Sequence, residues 1–196
     1  MTVPNPSSAG KTARGFSLVE LLVASALAGL VIALVIGTFA YSGTSFAAMG
    51  NYSDLDRNSR AAVDLLGREI RNSSALVSYS TGSPKFLTFT NASTGKTITI
   101  SYDATKRTLT FAKTGQAPQT LLTQCDQWTF SLYNKAPFLS TTNIMFYGAT
   151  NSSGAIDISV CKLINMTWKC SRTIFGSKRN TESIQTAEIV LRNKVN

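Results

Sequence analysis

Gly15-Phe16-Ser17-Leu18-Val19-Glu20, followed by LLVASALAGLVIALVIGTFAY over Leu21–Tyr41, is the stretch on which the reading of this chain turns. The 21 residues after Glu20 are apolar with only small polar interruptions. A mostly apolar run of about 18 residues or more can cross a bilayer as a helix. Apart from tyrosine, no ionisable side chain occurs between Glu20 and Asp54. Two basic residues, Lys11 and Arg14, lie upstream. Residues 54–196 then carry 17 basic and 9 acidic residues. The pattern is a membrane-competent N-terminal segment joined to a basic, polar domain.

The whole-chain composition follows from this division. Of 196 residues, 43% are hydrophobic and only 15% charged, against about 25% charged in an average soluble protein. The missing charge is missing from residues 21–53. Lys and Arg number 19 against 10 Asp and Glu, a formal +9, and there is no histidine. That excludes Ser-His-Asp and Cys-His mechanisms and His-ligated metal sites.

Three readings compete for the N-terminus. A cleaved secretory signal would use Ala24-Ser25-Ala26 as its cleavage site, but the apolar run continues through Val35 and Ile36, and Glu20 would lie inside the signal core. An uncleaved signal anchor would keep Lys11 and Arg14 on the cytoplasmic side. The third reading starts from Glu20. A carboxylate at the centre of an apolar span costs about 2.5–3.5 kcal/mol, less near an end, and such residues are functional suspects. The bland account of Glu20 is a side chain snorkelling to the interface.

The string Lys11-Thr12-Ala13-Arg14-Gly15-Phe16-Ser17-Leu18-Val19-Glu20-Leu21-Leu22-Val23 closely resembles the cleavage and methylation signature of the type IV prepilin family, which includes type IV pilins and the pseudopilins of type II secretion. In that signature a short basic leader ends in Gly, then come Phe, a Glu at the fifth mature position and an apolar helix. The resemblance implies removal of residues 1–15 by a prepilin peptidase, which cuts between Gly15 and Phe16. It also implies N-methylation of Phe16. Glu20 would pair with the new Phe16 amine of a neighbouring subunit and set the axial register of a filament. Both groups are poorly solvated, so a missing partner would cost several kcal/mol.

The helix is expected to extend past the membrane. Leu55, Ala62, Val63, Leu66 and Ile70 recur at helical spacing, with Arg57, Arg60, Asp64, Arg68 and Arg71 on the remaining surface. The expected organisation is a leader over 1–15, a transmembrane and assembly helix over 16–41, an amphipathic extension over 42–72 and a β-rich head over 73–196. Gly29, Gly37, Gly43 and Gly50 weaken the helix at intervals. In many major pilins a proline breaks the helix where Gly37 stands, and glycine would permit a weaker local melt.

Period-two alternation follows. Phe86 to Thr90, Ile98 to Tyr102, Thr108 to Phe111, Trp128 to Leu132 and Ile189 to Leu191 read as strands. Gly82-Ser83-Pro84, Asn91 to Gly95, Asp103 to Lys106 and Asn151 to Gly154 read as turns. This predicts an α+β fold with five to seven antiparallel strands packed on the amphipathic helix. A long helix followed by a β-rich head is also pilin-like. The β-rich head and the closing Ile189-Val190-Leu191-Arg192-Asn193 together most resemble the larger minor pseudopilins of the J-type class and related minor pilins.

Cys125, Cys161 and Cys170 would lie in a head outside the cytoplasm, where disulfides persist. Cys161 and Cys170 can pair only if the chain turns between them, near Asn165. That pairing is favoured over the two through Cys125, and three buried thiols are the alternative. No CxxC pair suggests zinc, Asp103, Asp126 and Asp157 form no calcium loop, and no catalytic constellation or cofactor motif is present. The expected activity is structural and not enzymatic. The favoured role is a minor pseudopilin of type II secretion, single-pass in the bacterial inner membrane with its head in the periplasm. Its partners would be a prepilin peptidase, other pilin or pseudopilin subunits and an inner-membrane assembly platform. The alternatives are a minor pilin of a type IV pilus or DNA-uptake system, with Lys106-Arg107, Lys162, Lys169 and Lys178-Arg179 contacting phosphates, and a membrane-anchored periplasmic enzyme. The basic residues are dispersed and form no nucleic-acid motif, so nucleic acid is the less expected partner.

Overall fold

A computed structural model describes residues 15–91, 94–135, 146–174 and 181–191. The element order is α1 (Leu18–Arg71), β1 (Ser73–Ser80), β2 (Lys85–Asn91), β3 (Thr97–Asp103), β4 (Thr108–Lys113), β5 (Gln119–Thr123), β6 (Cys125–Lys135), β7 (Phe146–Gly148), a short 3-10 turn at Ile158–Val160, β8 (Leu163–Ser171) and β9 (Glu182–Val190). The fold is α+β, one long N-terminal helix followed by antiparallel sheets. The chain divides into two compact units, one ending at Ser45 and the other beginning at Phe46.

In the first unit the helix runs without interruption through Gly29, Gly37 and Gly43. A Cβ at any of these glycines would meet no neighbouring atom within 4 Å. Glycine at Gly37 therefore does not melt the helix here.

In the second unit, residues Phe46–Arg71 of α1 meet two sheets. The first sheet has the order β1-β2-β3-β4-β5 and the second β7-β6-β8-β9, with all neighbours antiparallel. Leu55, Ser59, Ala62, Leu66, Gly67 and Ile70 are the buried helical residues, the stripe that helical spacing of the apolar residues demands. Ser59 also accepts a hydrogen bond from Trp168 Nε1 at 3.3 Å, which satisfies the indole of a fully buried tryptophan.

Alternation decides which face of each strand joins this core. Leu87 lies opposite Ile100, and Ile100 opposite Phe111. Phe89 lies opposite Ile98, and Leu109 opposite Leu122. These apolar rows across the first sheet are its main packing units. Trp128, Ile164, Met166, Trp168 and Ile189 supply the second sheet's share, and all join the helix stripe in one buried cluster.

Polar contacts tie the helix to both sheets. Lys113 reaches Glu69 at 3.1 Å from the first sheet. Gln185 Nε2 donates to Asp56 at 3.0 Å from the second. Arg172, just past β8, meets Asp54 at 2.7 Å. The helix ends where Ser73 Oγ donates back to the Glu69 carbonyl at 2.9 Å and the chain turns into β1.

Two expectations need correction. Nine strands form among the described residues, more than the five to seven expected. β1, β5 and β7 lack a plain alternating pattern, and β8, which alternates from Ile164 to Cys170, contains Asn165, which reads as a turn. Asn165 is instead in mid-strand, held by its Nδ2 donating to Glu188 Oε1 at 2.9 Å on the residue directly opposite. The pairing of Cys161 with Cys170 fails for the same reason. With no turn at Asn165, β8 runs extended from Leu163 to Cys170, about 23 Å, and Cys161 lies two residues ahead of it. Cys170 lies opposite Cys125 instead.

The Arg172 guanidinium, by hydrogen bonding and then by charge, holds the Asp54 carboxyl below its ordinary value of 3.8. A depressed folded value contributes stability above the unfolded value and loses it as pH falls through the folded one. Thermal melts of Asp54→Asn should therefore show a lower midpoint than the native chain at neutral pH, with the gap closing in strong acid. A gap that widened in acid would contradict this linkage. Leu66→Ala, at a fully buried position, should cost about 2–5 kcal/mol in denaturant unfolding of the detergent-solubilised chain.

Candidate processing and assembly site

The start of α1 is built by its own residues. Ser17 precedes the first helical residue, Leu18. Its Oγ accepts from the Glu20 backbone N–H at 3.2 Å. In return the Glu20 carboxylate, through Oε2, accepts from the Ser17 backbone N–H at 3.1 Å and the Ser17 hydroxyl at 3.2 Å. This is a reciprocal capping box, which satisfies two of the donors that a helix leaves unpaired at its start. The negative carboxylate also sits at the positive end of the helix dipole. Among the described residues, the other oxygen of Glu20, Oε1, has no partner.

The Ser-x-x-Glu spacing ahead of an apolar run was visible in the sequence, yet only the glutamate was singled out there. Ser17 is the residue that reading missed, and its signal is the spacing itself.

Gly15 and Phe16 lie just ahead of this cap and are exposed, as is Glu20. A Cβ at Gly15 would meet nothing within 4 Å. Nothing in the chain's own described packing requires glycine there. Phe16 is 86% exposed, a large apolar side chain left uncovered by the described residues.

The apolar surface continues along the first unit. Leu18, Val19, Leu21, Leu22, Leu27, Leu30, Leu34, Ile36 and Phe39 are all exposed large hydrophobic residues. Helix α1 is long and apolar enough to cross a membrane, and its most apolar window is wholly unburied. A soluble domain rarely leaves so continuous an apolar surface uncovered. Such a helix fits membrane anchoring.

The remaining candidates sit elsewhere. Cys125 and Cys170 come together in the second unit, while Cys161 lies ahead of β8. Of the basic residues, Arg107 is bound to Asp126 at 2.5 Å and Lys169 to Glu182 at 2.7 Å. Lys178 and Arg179 lie outside the described residues, as do Lys11 and Arg14. Asp126 engages Arg107, Asp157 caps the short turn at Ile158–Val160, and Asp103 accepts from the backbone of Thr105 and Lys106 at 2.9 and 3.0 Å. Among the described residues no group of three or more His, Cys, Asp and Glu side chains is placed to hold a metal ion.

A membrane-competent helix with a capped, acidic first turn behind an exposed Gly-Phe pair, followed by a β-rich head, defines the class of chain. A family model described as the prokaryotic N-terminal methylation motif matches residues 10–36. The match supports a prepilin-like chain, and with it processing by a prepilin peptidase and assembly with pilin-type subunits. No curated protein and no solved structure matches the chain.

Replacing Gly15 should separate folding from processing. Gly15→Lys is expected to leave the thermal midpoint of the detergent-solubilised chain unchanged and to abolish release of residues 1–15, read by the size shift of the membrane-bound protein. Normal processing would show that Gly15 does not mark the cut.

Proposed function

We propose that this protein is a minor pseudopilin. It is cut between Gly15 and Phe16, methylated on the Phe16 amine, and built through α1 into the pseudopilus of a type II secretion system. The single observation that carries this reading is the methylation motif over residues 10–36 on a helix whose apolar side chains remain uncovered. Before assembly the helix holds the chain in the inner membrane, with the head in the periplasm. During assembly the same apolar surface transfers from lipid to neighbouring helices. That exchange keeps the surface buried and adds side-chain packing between helices.

A head-to-tail interface of this kind extends without closing. The bulk of a head with nine strands among its described residues suits a subunit at the tip or in an initiating complex. A type IV pilus subunit would use the same N-terminal chemistry.

Glu20 sets the register in this account. Its Oε2 is engaged by Ser17, and Oε1 faces the incoming Phe16 amine of the next subunit. A charged hydrogen bond between two poorly solvated groups is strong, and an unpaired member is costly. The capping role and the register role can be told apart. Glutamine serves a capping box as well as glutamate does but offers no negative charge. Glu20→Gln and Glu20→Ala should both be processed normally and both fail to cross-link into filaments. Filament incorporation of Glu20→Gln at the native level would reduce Glu20 to a helix cap and sink the register claim.

A further inference from the structure

Cys125 opens β6, and Cys170 is the penultimate residue of β8. The antiparallel register sets them directly opposite each other. The next pair outward is joined by a ladder bond, Ser171 N–H to the Gln124 carbonyl at 3.1 Å. Residues opposite each other in an antiparallel pair have Cα atoms about 4.5–5.5 Å apart, inside the 4.4–6.8 Å range that a disulfide spans. Both side chains turn into the core, at 0% and 1% exposure. Their proximity holds the Cys125 thiol above its ordinary value and the Cys170 thiol below it, each chiefly through the other.

The surroundings hold this geometry. Arg107 Nη2 reaches Asp126 at 2.5 Å and donates to the Ser171 carbonyl at 2.9 Å. Ser171 Oγ donates to Asp126, and Tyr102 Oη donates to the Asp126 carbonyl at 2.6 Å. The Cys125 N–H donates to the Arg107 carbonyl at 2.8 Å. The backbone beside each cysteine is thus fixed by a polar knot between the β3–β4 turn and the end of β8. Cys161 lies ahead of the strand whose far end carries Cys170, its Sγ donating to the Leu163 carbonyl at 3.7 Å.

We propose that Cys125 and Cys170 are joined as a cross-strand disulfide in the mature head, a covalent clamp between β6 and β8, with Cys161 remaining a thiol. The oxidant is a disulfide-bearing thiol–disulfide exchange partner of the compartment into which the head is exported. The thiolate of one cysteine attacks the oxidant's disulfide, forming a mixed disulfide and releasing one oxidant thiolate. The second cysteine attacks its partner's sulfur in the mixed disulfide, forms the Cys125–Cys170 bond and releases the other oxidant thiolate. The two cysteine protons pass to the two released thiolates, and the oxidant is reduced by two electrons. Both sulfurs are buried once β8 pairs with β6, so this exchange belongs to folding and precedes closure of the second sheet. The bond then lowers the entropy of the unfolded chain.

The inference rests on export of the head, and its test keeps the two claims apart. The full chain is extracted from membranes after acid trapping, alkylated under denaturing conditions and mapped by peptide mass. In parallel, reduced chain is refolded in detergent with glutathione disulfide and mapped in the same way. The expected result is a Cys125–Cys170 linked peptide in both samples, with alkylation at Cys161 alone. Reductant should lower the melting midpoint of the native chain by roughly 5–15 °C and leave that of Cys125→Ser unmoved. Three alkylated thiols in both samples, or a bond through Cys161 in either, would overturn the pairing. Three thiols in the membrane sample with the linked peptide after refolding would uphold the pairing and count against export of the head.

Discussion

Apolar surface that the chain does not cover is the constraint on which everything else depends. Residues 21–53 carry no formal charge, and the large hydrophobic side chains from Phe16 to Met49 are exposed. At roughly 25 cal/mol per Å² of apolar surface left in water, such a helix is stable only against lipid or other helices. The second unit has the opposite character. There the same helix presents Leu55, Ala62, Leu66 and Ile70 to two sheets, keeps Arg57, Arg60, Asp64, Arg68 and Arg71 outward, and joins Asp54, Asp56 and Glu69 to partners on the sheet side. One helix therefore serves two environments, and the change of residue type near Asp54 marks the passage between them.

The first turn reconciles a carboxylate with this apolar setting. Glu20 is an expense in a membrane helix, yet its bonds to Ser17 offset part of that by satisfying backbone donors at the helix start. The cap also fixes where the carboxylate points. A glutamate held by its own helix is a better-placed partner for an incoming amine than one free to rotate, because less side-chain entropy is lost when the pair forms.

Periodicity made the helix and the centres of most alternating strands legible in the sequence. Leu55, Ala62, Leu66 and Ile70 could be read as one face, and Ile98 and Ile100 as the inward side of a strand, because those patterns depend on local geometry alone. What stayed hidden is non-local. Asn165 reads as a turn residue until Glu188 on β9 is known to lie opposite it. Alternation looks the same whichever sheet a strand joins, so the division into five and four strands was not readable. The meeting of Cys125 with Cys170 depends on the register of β6 against β8, which no local spacing encodes. Ser17 is a different case. Its capping spacing was readable and was passed over in favour of the glutamate beside it.

The central claim is that residues 10–36 are a processing signal and not only an anchor. Mass analysis of the N-terminal peptide of the membrane-extracted protein tests this most directly. The account predicts a peptide that begins at Phe16 and carries one added methyl group on its amine. A peptide that begins at Met1 or Thr2, with no methylated Phe16 found, would contradict it.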